Sequence, residues 1–157
     1  MLDKTLYEIT LFSGLEREEI NRIIPILHAC QFSQDTLIFQ QGSEARNFYI
    51  LLSGEVIVRY KPYDGESLII GRICPEDLFG WSAALGRPKY TSSAVAVLPC
   101  EAVCVSIAEM RQFCHNNSEL GHKLLERMAS GIAFRLRSTY EEVLGLLIRG
   151  IDLVNEV

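Results

Sequence analysis

A chain of 157 residues, 48% of them hydrophobic and 22% charged, has the length and composition of a single globular domain, which excludes a disordered chain and a multi-domain enzyme with separate cofactor and substrate halves. Fifteen Lys and Arg against twenty Asp and Glu leave a formal charge of −5, the wrong sign for autonomous binding to DNA. No apolar run reaches the ~18–20 residues of a membrane span and the first residues, Met1-Leu2-Asp3-Lys4, form no signal pattern, so a cytoplasmic protein without membrane contact is expected.

In chain order, two short helices come first. Leu11 and Phe12 run into Gly14, a helix stop; Leu15, Ile20, Ile23, Ile24 and Leu27 then recur at helical spacing until Pro25 and the polar residues beyond weaken the pattern. From about Gln31 short runs rich in β-branched and aromatic residues alternate with turn chemistry: 36–41 before Gly42-Ser43, 48–53 before Gly54, 55–60 before Pro62 and Asp64-Gly65, and 66–73 before Pro75. That spacing predicts an antiparallel meander, with Asp64-Gly65 turning a hairpin through a glycine that tolerates positive φ, in a loop longer than two residues. A break at 75–80, a small-residue segment at 81–86 and a polar stretch at 87–93 precede two more strands, 94–97 and 100–107. In the second of these Val103, Val105 and Ile107 point one way, and Ala102, Cys104 and Ser106 the other, which puts Cys100 and Cys104 on one inward face. The five cysteines are odd in number and lack a C-x-x-C pair, so reduced, mostly buried thiols are expected rather than disulfides or a zinc site.

A last helix is predicted from Ser118, acting as N-cap, nearly to the end. Its apolar line, Leu125, Met128, Ile132, Leu136, Thr139, Val143 and Leu146, steps by about 3.5 residues and suits a partner helix, making a homodimer seam of Leu125, Met128, Ile132, Leu136, Val143 and Leu146 the expectation. The competing reading is that this face only covers the chain's own domain.

Leu11-Phe12-Ser13-Gly14-Leu15, Gly42, the run Phe48 to Val56 containing Ser53-Gly54-Glu55, Asp77-Leu78-Phe79-Gly80, the polar segment after it and the long terminal helix occur in an order and spacing that resemble the cyclic-nucleotide-binding domains of the catabolite activator and fumarate-nitrate regulator type, over about 11–146. The resemblance implies a mainly β fold with flanking helices, a double-stranded β-helix of jelly-roll type followed by a long C-terminal helix. The expected divisions of this single domain, 1–157, are N-terminal helices at 1–29, a β-roll at 30–107 with a phosphate-cassette-like segment at 78–93, and C-terminal helices at 108–157. A nucleotide pocket and dimerisation through the last helix are implied with it.

The candidate ligand-binding residues are Phe79, Gly80, Trp81, Ser82, Ala83, Lys89, Ser92, Ser93 and Thr139. A short helical turn beginning near Gly80 would present the amides of Trp81, Ser82 and Ala83 to an anion; Ser92 and Ser93 add hydroxyl donors, and Lys89 or Arg87 a cation. By the resemblance, Thr139 falls where the terminal helix offers a hydroxyl to an adenine ring. Two departures stand out. Trp81 occupies the place of the glutamate that usually holds the ribose 2′-hydroxyl, and the arginine that grips the cyclic phosphate is replaced by Thr91 or Ser92, depending on where a one-residue loop difference is placed. A charge-assisted hydrogen bond contributes about 1.5–3 kcal/mol, so the missing carboxylate alone predicts roughly ten- to over a hundred-fold weaker cyclic AMP binding.

No Gly-x-Ser-x-Gly, His-Glu-x-x-His or P-loop pattern is present, and His28, His115 and His122 lack a spaced ligand set for a catalytic metal, so neither an enzyme nor a metal site is expected. His28 and Cys30 form only a weak haem or redox pattern. The expectation is a non-enzymatic sensor of a cyclic nucleotide or other small anionic ligand, signalling through its terminal helix to a further domain in a longer transcription regulator or to a separate, unknown protein partner, with no direct DNA binding by this chain. The alternative is a degenerate cyclic-nucleotide fold without a ligand, kept for dimerisation or protein docking; Trp81 discriminates, because an indole filling the cavity would leave only the scaffold.

Overall fold

Helix α1, Arg17–Ile23, starts at a capping box in which Glu19 Oε1 accepts from the Glu16 amide at 3.0 Å, with Glu18 and Glu19 in its first turn and Arg22 in its last, each favourable to the helix dipole. It stops at Ile23 because Pro25 carries the chain into a 3₁₀ turn, Ile24–Ile26. The computed structural model describes residues 6–155, except for the side chains of 138, 139, 142, 143, 146 and 151–155.

Eight strands follow: β1 His28–Phe32, β2 Leu37–Phe39, β3 Asn47–Ser53, β4 Val56–Tyr60, β5 Leu68–Ile73, β6 Leu78–Phe79, β7 Ser93–Ala96 and β8 Cys100–Ser106. They form two antiparallel four-stranded sheets, ordered β1-β8-β3-β6 and β2-β7-β4-β5. This is the jelly-roll double sheet rather than the expected meander, since only β4 and β5 are both consecutive and paired. The reason lies in β3 and β8, which are apolar on both faces. Phe48, Ile50, Val103 and Val105 enter one core beneath the helices, whereas Tyr49, Leu51, Cys100 and Ala102 enter a second core between the sheets. Two-sided burial places such strands in the middle of a sheet, beside partners distant in sequence.

Strand β1 begins at His28, opposite Cys104, earlier than the change of texture near Gln31, and the predicted break at 75–80 contains the two-residue strand β6 opposite Tyr49 and Ile50. The loop between β4 and β5 is longer than two residues, and among the described glycines positive φ is found at Gly14, Gly42, Gly54, Gly80 and Gly86 rather than at Gly65.

After β8, Ser106 Oγ accepts from the Glu109 amide at 3.4 Å and caps α2, Ile107–Asn116. The long helix α3, Ser118–Asn155, includes Ser118 as its first residue rather than as its cap. Asn117 takes the capping place, its carbonyl accepting from the Gly121 amide at 2.7 Å. Leu120, Leu124 and Met128 of α3 are buried in the first core and Ile132 packs against it. Met128 is therefore a core residue and not a seam residue, because the face that runs 120, 124, 128 is the one laid on the β-roll. Leu125 and Leu136 are half exposed, and further exposed apolar residues, Phe134, Tyr140, Leu144 and Leu147, continue along α3. Val143 and Leu146 have side chains outside the described residues.

Candidate functional site

A cavity of about 510 Å³ lies between the β2-β7-β4-β5 sheet, the chain after β6 and α3. The local sequence builds it in steps. Gly80, at φ +73°, reverses the chain directly after β6; a Cβ there would sit 3.2 Å from ring atoms of both Phe39 and Tyr49. One helical turn follows, with the Leu85 amide bonded to the Trp81 carbonyl at 3.0 Å and the Arg87 amide to the Ser82 carbonyl at 3.0 Å. Phe39 and Phe79 line the cavity and belong to an aromatic stack behind it: Phe39 lies 3.9 Å from Tyr90 and Tyr49 lies 5.0 Å from Phe79, centroid to centroid. Tyr90 is fixed by donating its hydroxyl to the Asn47 carbonyl at 2.6 Å, and burial pushes its pKa up, as it does more strongly for Tyr49.

The walls carry a particular chemistry. Phe39, Val58, Ile70, Ile73, Leu85 and Leu136 make the cavity largely apolar; Ser82, Thr91 and Ser92 bring hydroxyls, Arg87 and Arg135 bring the cations, and no carboxylate is among the lining residues. Such a wall suits an anion with a flat or apolar body.

Of the predicted ligand residues, Phe79, Gly80, Trp81, Ser82 and Ser92 line this cavity. Trp81 is half-buried and lies on its wall, leaving the volume open. Three others are placed elsewhere. Ala83 is turned into the core between the sheets, and its amide donates to the Gly80 carbonyl at 3.4 Å, so the turn does not offer three amides to an anion. Ser93 opens β7, where its hydroxyl oxygen accepts from the Gln41 amide at 2.8 Å. Lys89 bridges to Glu44 in the backbone and lines a different hollow, leaving Arg87 as the loop's cation at the cavity. The side chain of Thr139 lies outside the described residues.

Arg135 was not among the candidates, although its position could have suggested it. It stands three residues beyond Ile132 and seven beyond Met128, so it is a cation on the inward stripe of an amphipathic helix. Its Nη1 donates to Asp77 Oδ2 at 3.2 Å and its Nη2 to the Arg72 carbonyl. Asp77 Oδ2 also accepts from the Cys74 amide at 2.9 Å. Gly71 provides the room, since a Cβ there would lie 3.0 Å from Arg135 Nη2. The helix is thus fastened to β5 and to the chain after it by the same side chain that lines the cavity.

On the other side of Trp81 lies a larger hollow of about 690 Å³. Its charges are matched in sign, with Glu76, Asp77 and Glu126 against Lys123, Arg127 and Arg135, and several are engaged already: Thr10 with Glu76 at 2.9 Å, Lys123 with Glu19 at 3.0 Å, Arg127 with the Ser13 carbonyl. Size alone does not make it the better anion site.

The thiols are less uniformly buried than expected: Cys100 is buried, Cys74 exposed, and Cys30, Cys104 and Cys114 lie between. Burial, with a smaller contribution from Cys104, pushes the Cys30 thiol up to about 11, and burial also raises Cys100, Cys104 and Cys114. His28 Nε2 lies 2.7 Å from Glu109 Oε2, which gives this imidazole a carboxylate partner.

Residues 29–117 match the family model described as Cyclic nucleotide-binding domain. A CRP-like cAMP-activated global transcriptional regulator of Mycobacterium tuberculosis is 25% identical over 150 residues, covering 96% of this chain and 65% of the regulator's own length. Among solved structures, a cyclic nucleotide-binding domain from Methylobacillus flagellatus superposes with a TM-score of 0.81 at 22% identity, covering 90% of this chain and 80% of that one. The Thermus thermophilus catabolite activator protein gives a TM-score of 0.71 at 25% identity over 87% of this chain and 62% of that one.

Proposed function

The chain belongs to the cyclic nucleotide-binding domain family, and from that premise we propose that it is a non-enzymatic regulatory module that senses a small anionic ligand in the 510 Å³ cavity and reports through α3. The observation that carries the reading is the cavity wall: two arginines and three hydroxyls around an apolar body, without a carboxylate and with the indole of Trp81 at the side. A ligand-free scaffold would need that indole to fill the space.

Transmission follows from Arg135. An anion at this guanidinium competes with Asp77 and the Arg72 carbonyl, which now hold α3, so a bound ligand favours one pose of the helix over another. The half-exposed or exposed apolar side chains Leu136, Tyr140, Leu144 and Leu147 are the surface through which a second copy would read that pose. Its output is regulation of transcription, the role of the M. tuberculosis relative, exerted through a further domain or a separate protein partner.

Thermal unfolding tests this with cyclic AMP, cyclic GMP and planar aromatic carboxylates at millimolar concentration. Saturation at about a hundred times Kd adds ~2.7 kcal/mol, several degrees of Tm at this size. The expected outcome is a shift for at least one anion, reduced about tenfold in affinity by Arg87→Ala. Trp81→Glu, which restores the carboxylate, should strengthen cyclic AMP binding relative to the unsubstituted chain. No shift with any of these ligands, for either protein, would leave only the scaffold.

A further inference from the structure

A further hollow, about 550 Å³, lies on a different side of the turn after β6 from the sensing cavity. Its floor is Ala45, Ala83 and Ile107; around it stand Arg46, Arg87, Lys89 and Arg111, with Glu44 as the only carboxylate among its lining residues. Three separate chain segments bring these cations together, and backbone hydrogen bonds hold the segments in place. The Ala45 amide donates to the Pro88 carbonyl at 2.9 Å, Glu44 and Lys89 form a β-bridge, and the Ile107 amide at the start of α2 donates to the Arg46 carbonyl at 2.9 Å.

The concentration of charge is unusual for a chain with a net charge of −5. Most other described cations have a partner: Arg72 pairs with Glu55, Lys123 with Glu19 and Arg135 with Asp77, while Arg17 lies over the Tyr7 ring. In this hollow Arg46 pairs with Glu44 at 2.7 Å, whereas Arg87, Lys89 and Arg111 have no ion pair among the described residues. Unmatched like charges facing one concavity repel one another, and a multivalent anion relieves that repulsion. The space is that of a small molecule rather than of a long polymer track.

We propose that this hollow is a second binding site, for a small multivalent oxyanion of the oligophosphate class, held by Arg46, Arg87, Lys89 and Arg111. An inorganic oligophosphate and the phosphate chain of a nucleotide present the same chemistry to these side chains. Lys89 and Arg111 do not line the sensing cavity, so substitutions there separate the two sites, and loss of one leaves the other standing.

The test is isothermal titration calorimetry of the whole chain with inorganic triphosphate, combined with amide chemical-shift mapping. Saturable binding is expected, with shifts concentrated at 44–46, 86–89 and 107–111. Lys89→Ala and Arg111→Ala should each weaken it about tenfold. Lys61→Ala and Arg149→Ala, which remove exposed cations elsewhere, should leave it unchanged. Matched titrations with pyrophosphate and ADP distinguish the sources: tighter ADP binding that Lys89→Ala and Arg111→Ala also weaken identifies a nucleotide, equal binding an inorganic oligophosphate, and both support the site. Absence of saturable binding, shifts spread over all basic surfaces, or equal weakening by Lys61→Ala would overturn it. So would binding of a glutamate-rich peptide at these residues with none of triphosphate, which would make the surface a protein contact. The mapping needs no variant, so misfolding of a variant does not obscure the result.

Discussion

Gly42 and Gly54 both have positive φ, +86° and +95°, but their surroundings differ. A Cβ on Gly42 meets nothing within 4 Å, whereas one on Gly54 would lie 2.5 Å from the Pro99 carbonyl oxygen and 2.7 Å from Cys100 Sγ. Gly42→Ala should therefore cost about 1–2 kcal/mol, the conformational penalty alone, and Gly54→Ala roughly 2–5 kcal/mol, both read from urea unfolding. The thiols set a pH dependence. The Cys30 pKa is raised in the fold from an ordinary 9.0 to about 11, so the folded state prefers the neutral thiol. This thiol's contribution is constant below pH 9 and lowers stability as pH rises from 9 through about 11; Cys30→Ala should flatten that fall in urea midpoints measured across the range. At this scale the sequence was partly legible. The glycines and Trp81 were visible because their chemistry is local, whereas whether Ser93 faced a ligand or the Gln41 amide, and whether Lys89 or Arg87 reached the cavity, depended on contacts across the fold.

Helix α3 carries two apolar lines that overlap in sequence. The seam drawn through Leu125, Met128, Ile132 and Leu136 crosses from one to the other: Met128 is 4% exposed in the core, while Leu136 is 54% exposed and reaches the rim of the cavity. Periodicity reports that a helix has apolar stripes; it does not say which stripe covers the β-roll, because that depends on how α3 leaves α2 at Asn117 and Gly121. A Cβ on Gly121 would lie only 2.8 Å from Cys114 Cα, so α2 and α3 approach there as closely as backbones allow. The two stripes predict opposite phenotypes. Met128→Ala should lower unfolding stability by about 2–5 kcal/mol without changing the mass in light scattering, and Leu144→Asp should convert a dimer to a monomer with little change in intrachain stability. A chain that is already monomeric at high micromolar concentration would remove the dimer.

For the whole molecule, the class of fold was legible and the pairing of strands was not. Alternation in 100–106 separated the two faces of β8 correctly, yet a face says nothing about the neighbour, and β8 sits between β1 and β3, both distant from it in sequence. The two cores that result leave the sensing cavity outside the first, against the second, and roofed by a helix rooted in the first. A ligand there touches both the sheet that bounds the second core and the helix anchored in the first. Trp81, the only tryptophan in the chain, stands on that cavity's wall and does not line the basic hollow. The protein consequently has a native fluorophore at a single address: an occupant of the sensing cavity should change its emission, an oxyanion between Arg46 and Arg111 should leave the spectrum as it was, and the two events can be told apart in a cuvette without a label.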